Sequence, residues 1–153
     1  MGTEIERKFL VKGDEWRSLG VAEIYRQGYI SNDKGRTVRV RVVGEQGYLT
    51  IKGSTTGMKR AEFEYKIPVE DAQELLETLC DRPFIEKTRY KILIGDLIWE
   101  VDEFWGENQG LILAEVELET EDQTIELPDW IGEEVTHDTR YYNSNLVKNP
   151  FKS

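Results

Sequence analysis

In one stretch after another this chain alternates charged and apolar residues with a period of two, and several stretches keep one sign of charge on the shared face. Thr37-Val38-Arg39-Val40-Arg41-Val42-Val43 sets Val38, Val40 and Val42 against Thr37, Arg39 and Arg41. Strand geometry turns successive side chains to opposite faces, so such a segment presents one apolar and one charged surface. Lys87, Arg89 and Lys91 align in the same way, as do Glu100 with Asp102 and Glu115 with Glu117. A solvated outer sheet face also alternates. Charges placed there for solubility would mix signs, however, because like neighbours on one face repel. Basic strands set opposite acidic strands fit a closed barrel better, its interior holding a polyanion on one wall and metal ions on the other.

Eight strands are expected: 4–11, 25–31, 37–43, 48–52, 60–67, 84–92, 97–104 and 111–119. Turns are expected at Asn32-Asp33-Lys34-Gly35, at 44–47 and at Gly95-Asp96, and a flexible loop at 53–57. Residues 13–20 read as a short helix or turn with Trp16 and Leu19 as its apolar contacts. The period changes once. Val69, Ala72, Leu75, Leu76 and Leu79 recur at helical spacing, behind Pro68 and with acidic residues in the first turn, predicting a helix over 69–80. From Thr120 onward the chain reads as short helices and a polar tail.

The 153 residues suit one domain, 1–153, able to bury a core without staples. A single cysteine, Cys80, excludes an internal disulfide and a thiolate zinc cluster, and reads as an inert thiol on a helix face. No apolar run approaches the ~20 residues of a membrane span, and no secretory segment is evident, so the expected compartment is the cytoplasm. A net charge of -10 would repel DNA from most of the surface. Neither nucleic acid nor a membrane is expected as a partner, and a homodimer is compatible with the sequence. A small anionic substrate fits if the bases are gathered into one enclosed place and metal ions offset the acids. Hard divalent cations bind carboxylate oxygens and bridge to phosphates, while Arg and Lys neutralise the remaining phosphate oxygens. Phosphoryl transfer needs mainly such positioning and neutralisation.

Taken in order, Glu4-x-Glu6-x-Lys8, Arg39-x-Arg41, Lys52, Glu62-x-Glu64, Lys87-x-Arg89, Asp102 and Glu115-x-Glu117 resemble the CYTH superfamily, the triphosphate tunnel metalloenzymes, over about residues 1 to 145. The opening Glu-Ile-Glu-Arg-Lys-Phe is most similar to the compact bacterial members. The resemblance implies a mainly β (α+β) fold, an eight-stranded antiparallel barrel around a charged tunnel with a few flanking helices. It implies metal-dependent action on a triphosphate: tripolyphosphate, thiamine triphosphate, nucleotides or RNA ends, or cyclisation of ATP as in class IV adenylyl cyclases. A triphosphatase acting on inorganic tripolyphosphate is the leading reading. A cyclase and a non-catalytic polyphosphate- or nucleotide-binding module are the alternatives, the last disfavoured because acidic pairs in an anion pocket repel the ligand unless metals intervene.

On this resemblance Glu4, Glu6 and Glu117 are expected to ligate Mg2+ or Mn2+. Asp102 and Glu115 would be close supports or ligands of a second ion. Lys8, Arg39, Arg41, Lys52 and Arg89 would hold phosphates, while Glu62 and Glu64 would orient those bases or touch metal. Lys87, crowded by Arg89 and other cations, would have a lowered pKa and assist the nucleophile, with Tyr29 as a possible partner in catalysis. Arg60, Lys66 and Lys91 are at least as well explained as solvated ends of strands, and His137 as a surface or capping residue.

Overall fold

The alternating stretches form strands that pair with antiparallel neighbours and close on themselves. The structure, a computed structural model, describes residues 2–33 and 35–151, so Lys34 of the expected 32–35 turn lies outside the described residues. The chain runs β1 (Gly2–Val11), β2 (Val21–Asp33), β3 (Arg36–Val43), β4 (Gln46–Thr56), β5 (Lys59–Ile67), α1 (Val69–Thr78), β6 (Ile85–Ile94), β7 (Leu97–Phe104), β8 (Ile112–Glu117), β9 (Ile131–Glu134) and α2 (Asn143–Lys148). The ring proceeds β1–β5–β4–β3–β2–β6–β7–β8 and returns to β1 through Glu6↔Glu117 and Lys8↔Glu115. A closed ring leaves no long free edge. The expected eight-stranded antiparallel barrel is therefore present, with one strand added outside it.

That added strand, β9, lies in a region expected to hold only short helices and a tail. Its four residues alternate too briefly to stand out, and its partner is the far end of β1, where Phe9 pairs with Glu134 and Val11 with Ile131. The 53–57 segment is likewise not a free loop. β4 runs to Thr56, with a register shift between Lys52 and Thr55 absorbing the glycine and the turn tightening at Gly57, whose φ is +63°. Residues 15–18 form one 3-10 turn whose Trp16 is fully buried, but Leu19 is half exposed rather than packed.

With charge inside the barrel, the apolar core is displaced to its outside and to one end. The outward faces of β1, β7 and β8 supply Ile5, Phe9, Trp99, Val101, Ala114 and Val116, which pack beneath Trp16 and Trp130. Burying each large side chain of this kind contributes roughly 1.5–3 kcal/mol. On another side α1 lays Ala72 and Leu76 over Val40 of β3. Gly47 permits that approach, since a Cβ there would stand 2.8 Å from the Cβ of Ala72. At one end the inward rows themselves turn apolar: Tyr29, Ile85, Phe104 and Leu113 meet Leu146 and Val147 of α2, which stops that end of the barrel.

Candidate active site

The inward rows enclose a cavity of about 370 Å3. It is lined by Glu4, Glu6, Lys8, Tyr29, Arg39, Arg41, Lys52, Glu62, Glu64, Lys87, Arg89, Glu115 and Glu117, which is every expected site residue except Asp102. Asp102 sits behind the lining, 1% exposed, with both oxygens engaged. Arg89 meets it in a fork, Nε to Oδ1 at 2.7 Å and Nη2 to Oδ2 at 2.9 Å, and Lys87 Nζ adds a bond to Oδ2 at 2.8 Å. Burial alone would raise the Asp102 carboxyl, but Arg89 and Lys87 overcome it and hold the pKa at about 2. Between the two roles the sequence leaves open for Asp102, this geometry favours close support of the bases over metal ligation.

Most of the bases are paired. Arg39 reaches Thr50 and Glu64 through Nη2, at 3.3 and 3.5 Å. Lys52 Nζ lies between Glu4 at 3.1 Å and Glu62 at 3.2 Å. Lys8 Nζ lies 3.4 Å from Glu115 and 3.2 Å from the Tyr141 carbonyl. Glu62 and Glu64 thus orient bases in this structure. Lys87 Nζ has a second acceptor, Asn143 Oδ1, at 3.1 Å. Burial, with Arg89 and Arg41 nearby, outweighs Asp102 and lowers the Lys87 ammonium to about 7. Tyr29 lines the cavity at its apolar end, 4% exposed.

The acids divide into two groups. Glu115, close to Lys8, Arg89 and Lys87, is held well below the usual carboxylate range although burial opposes this. Glu6 forms no ion pair among the described residues, and burial, followed by Glu115 and Glu4, pushes its carboxyl well above that range. Glu4 is raised by burial in spite of Lys52, and Glu117 by burial together with Glu4, Glu62 and Glu100. Carboxylates gathered so that they resist ionisation are a cation-binding arrangement. Among the described residues no three acidic, His or Cys side chains converge into a ready-made cage. A hexacoordinate divalent ion that retains water and shares phosphate oxygens needs only one or two carboxylates from the protein, so the oxygen donors here fit Mg2+ or Mn2+.

Several lining residues carried no sequence signal. Thr136, Tyr142, Asn143 and Ser144 come from the C-terminal segment, which has no strand periodicity to announce an inward face. Tyr25, which also lines the cavity, shares a face of β2 with Tyr29 and with the fully buried Gln27, a placement legible by the same alternation. Arg60 turns toward the barrel, its Nε on the Gly53 carbonyl at 2.8 Å, and Lys91 lines the cavity while remaining exposed. His137 is exposed and Cys80 half-buried, with its thiol pushed up to about 11 chiefly by burial.

An antiparallel tunnel with facing acidic and basic walls defines a class, and comparison with known proteins gives the family: the chain matches the CYTH domain model over residues 2–147 and belongs to that family. It is 58% identical over 153 residues to a protein of Acetivibrio thermocellus named inorganic triphosphatase, covering 100% of this chain and 98% of the relative. It is 39% identical over 148 residues to an inorganic triphosphatase of Nitrosomonas europaea, covering 95% and 97%. The crystal structure of the inorganic triphosphatase NE1496 superposes with a TM-score of 0.64 at 36% identity, covering 94% of this chain and 96% of that one. No described helix is long and apolar enough to cross a membrane.

Proposed function

We propose that this protein is a metal-dependent triphosphatase that hydrolyses inorganic tripolyphosphate to pyrophosphate and orthophosphate. The observation that carries the reading is one cavity with Glu4, Glu6 and Glu117 on one side and Arg39, Arg41, Lys52, Lys87 and Arg89 on the other. The names of the two close relatives support the same activity. Glu4, Glu6 and Glu117, with Glu115 beside them, would hold a hard divalent ion, Mg2+ or Mn2+, which would supply positive charge against the charge gathering on the phosphoryl group. Lys8, Arg39, Arg41, Lys52 and Arg89 grip the chain of phosphates and place its terminal phosphorus. Lys87, near neutrality at its lowered pKa and fixed by Asp102 and Asn143, accepts the proton of the attacking water. The anhydride P–O bond breaks as the new bond from water oxygen to phosphorus forms. Tyr29 closes the apolar end and limits water access.

The test is a phosphate-release panel over tripolyphosphate, pyrophosphate, ATP and thiamine triphosphate, with Mg2+ and Mn2+ compared and cyclic AMP assayed in parallel. Tripolyphosphate should be the best substrate, with no turnover in excess EDTA and recovery on adding either metal, since no Cys or His cluster offers a softer site. Full activity in EDTA would sink the metal requirement. Cyclic AMP as the main product would replace the hydrolase with a cyclase.

A further inference from the structure

The inward row of β2 has no part in the chemistry assigned above apart from Tyr29. Gln27 is completely buried, and its Oε1 accepts a hydrogen bond from Arg41 Nε at 2.8 Å. Its own Nε2 has no partner among the described residues. A buried, unpaired amide is costly, yet turning the amide over would face its N–H2 toward the Arg41 N–H and lose the one bond it makes. Next to it, the ring of Tyr25 lies under two guanidiniums, 4.8 Å from that of Arg41 and 4.9 Å from that of Arg89.

Arg41 differs from the five other bases given a role in phosphate binding or catalysis. Arg39, Lys52, Lys8, Lys87 and Arg89 each lie within ion-pair distance of a carboxylate. Arg41, only 9% exposed, has no such partner among the described residues, and its Nη1 and Nη2 make no hydrogen bond to them. A neutral amide oxygen and an aromatic face hold it in place without cancelling its charge. Using Nε for Gln27 leaves the two Nη groups, which are spaced to meet two oxygens of one phosphate. Tyr25 offers Arg41 and Arg89 alike an aromatic surface attractive to a cation.

We infer that Tyr25 and Gln27 are positioning residues that hold the Arg41 fork charged and open for a phosphate group of the substrate. The inference rests on the phosphate-binding reading of the tunnel. It predicts an outcome that simple packing does not. Gln27→Glu gives the buried cation a carboxylate, so the substrate-free protein should unfold at a higher temperature. The same carboxylate competes with phosphate, so KM for tripolyphosphate should rise about tenfold or more, with kcat changing less. Gln27→Met should raise KM without the gain in unfolding temperature. Tyr25→Leu should raise KM by about tenfold, the scale of a well-desolvated cation–π contact, and Tyr25→Phe, which keeps the ring, should recover most of that loss.

The measurement is steady-state hydrolysis of tripolyphosphate with Mn2+ beside thermal unfolding of each variant with and without tripolyphosphate. A Gln27→Glu protein that fails to fold, or that keeps the wild-type KM, would overturn the inference, as would KM values that merely follow unfolding temperature across the set. If wild type bound tripolyphosphate without hydrolysing it, the triphosphatase reading would fail alone. The rise in unfolding temperature that tripolyphosphate gives wild type would then decide the matter, being smaller in Gln27→Glu if the inference holds and equal if it does not.

Discussion

Two clusters of buried charge, on neighbouring strands of one barrel, solve opposite problems. Around Asp102 each charge has its partner: two oxygens take three N–H donors from Arg89 and Lys87, and the carboxyl is held at about 2. Around Glu6 carboxylates face carboxylates, with Glu117 as its register partner and Glu4 and Glu115 nearby, and the carboxyl is driven upward. The same chemical group is over-compensated in one place and under-compensated in the other. The first cluster holds bases in fixed positions in the apo protein. On the proposed function the second would be completed by a cation from outside, a strain tolerated for function.

The contrast can be broken most forcefully at Asp102. Asp102→Asn removes the counter-charge of the buried Arg89 guanidinium, and stranding it should cost about 3–5 kcal/mol, read as a drop in the urea midpoint, while Lys87 sheds its proton more readily and activity is lost. A change below about 1 kcal/mol would mean that the cluster is not pre-organised by this carboxylate. Next in size come the bases whose ion pairs are looser. Arg39→Ala and Lys52→Ala should each lower tripolyphosphate turnover about 100-fold, since each removes a charge-assisted phosphate contact in a poorly solvated tunnel. Folded variants with wild-type rates would show that the basic wall does not hold substrate.

A smaller effect separates the clusters by pH. Glu6, Glu4 and Glu117 have raised folded-state pKa values, so between the unfolded value near 4.5 and those raised values the native state binds more protons. Their contribution to stability therefore declines as pH rises through that window. Asp102 runs the other way: its contribution is present above its unfolded value of 3.8 and is lost as pH falls toward about 2. In EDTA, Glu117→Gln should flatten the decline above pH 4.5; because Glu117 is exposed and its charge screened by water, the gain at neutral pH should be about 1 kcal/mol or less, seen as a few degrees in unfolding temperature. An unchanged profile would remove Glu117 from the repelling set. Smallest of all, the surface pair Arg17–Glu103, 2.6 Å apart with Arg17 37% exposed, should yield about 0.5 kcal/mol or less in a double-mutant cycle. A value as large as that at Asp102 would contradict the idea that burial makes the difference.

Much of this contrast could be read in the sequence because strand periodicity is rigid: once 39/41, 87/89, 100/102 and 115/117 fall on inward faces, their segregation by sign implies facing walls. Periodicity gives the face but not the depth. Glu100 and Asp102 share a face, yet Asp102 is covered and clamped while Glu100 lines the cavity. Nor does it show which acid finds a base: only the closed barrel brings Glu62 to Lys52 and Glu64 to Arg39. β9 and the C-terminal lining, including the Asn143 contact to Lys87, depend on how the last residues pack back over the barrel, and no local pattern encodes that.

If the acidic cluster is left unsatisfied for a divalent ion, the variant that must respond is Glu6→Gln. Wild type and variant are unfolded thermally at neutral pH in EDTA and again with Mn2+, and tripolyphosphate hydrolysis is followed with the same samples. In EDTA the variant should be at least as stable as wild type, because one repelling charge is gone; Mn2+ should raise the unfolding temperature of wild type more than that of the variant, and hydrolysis should fall by about 100-fold or more. A variant that is markedly less stable in EDTA yet keeps its response to Mn2+ and its activity would show that Glu6 is a structural ion-pair partner and not a metal ligand.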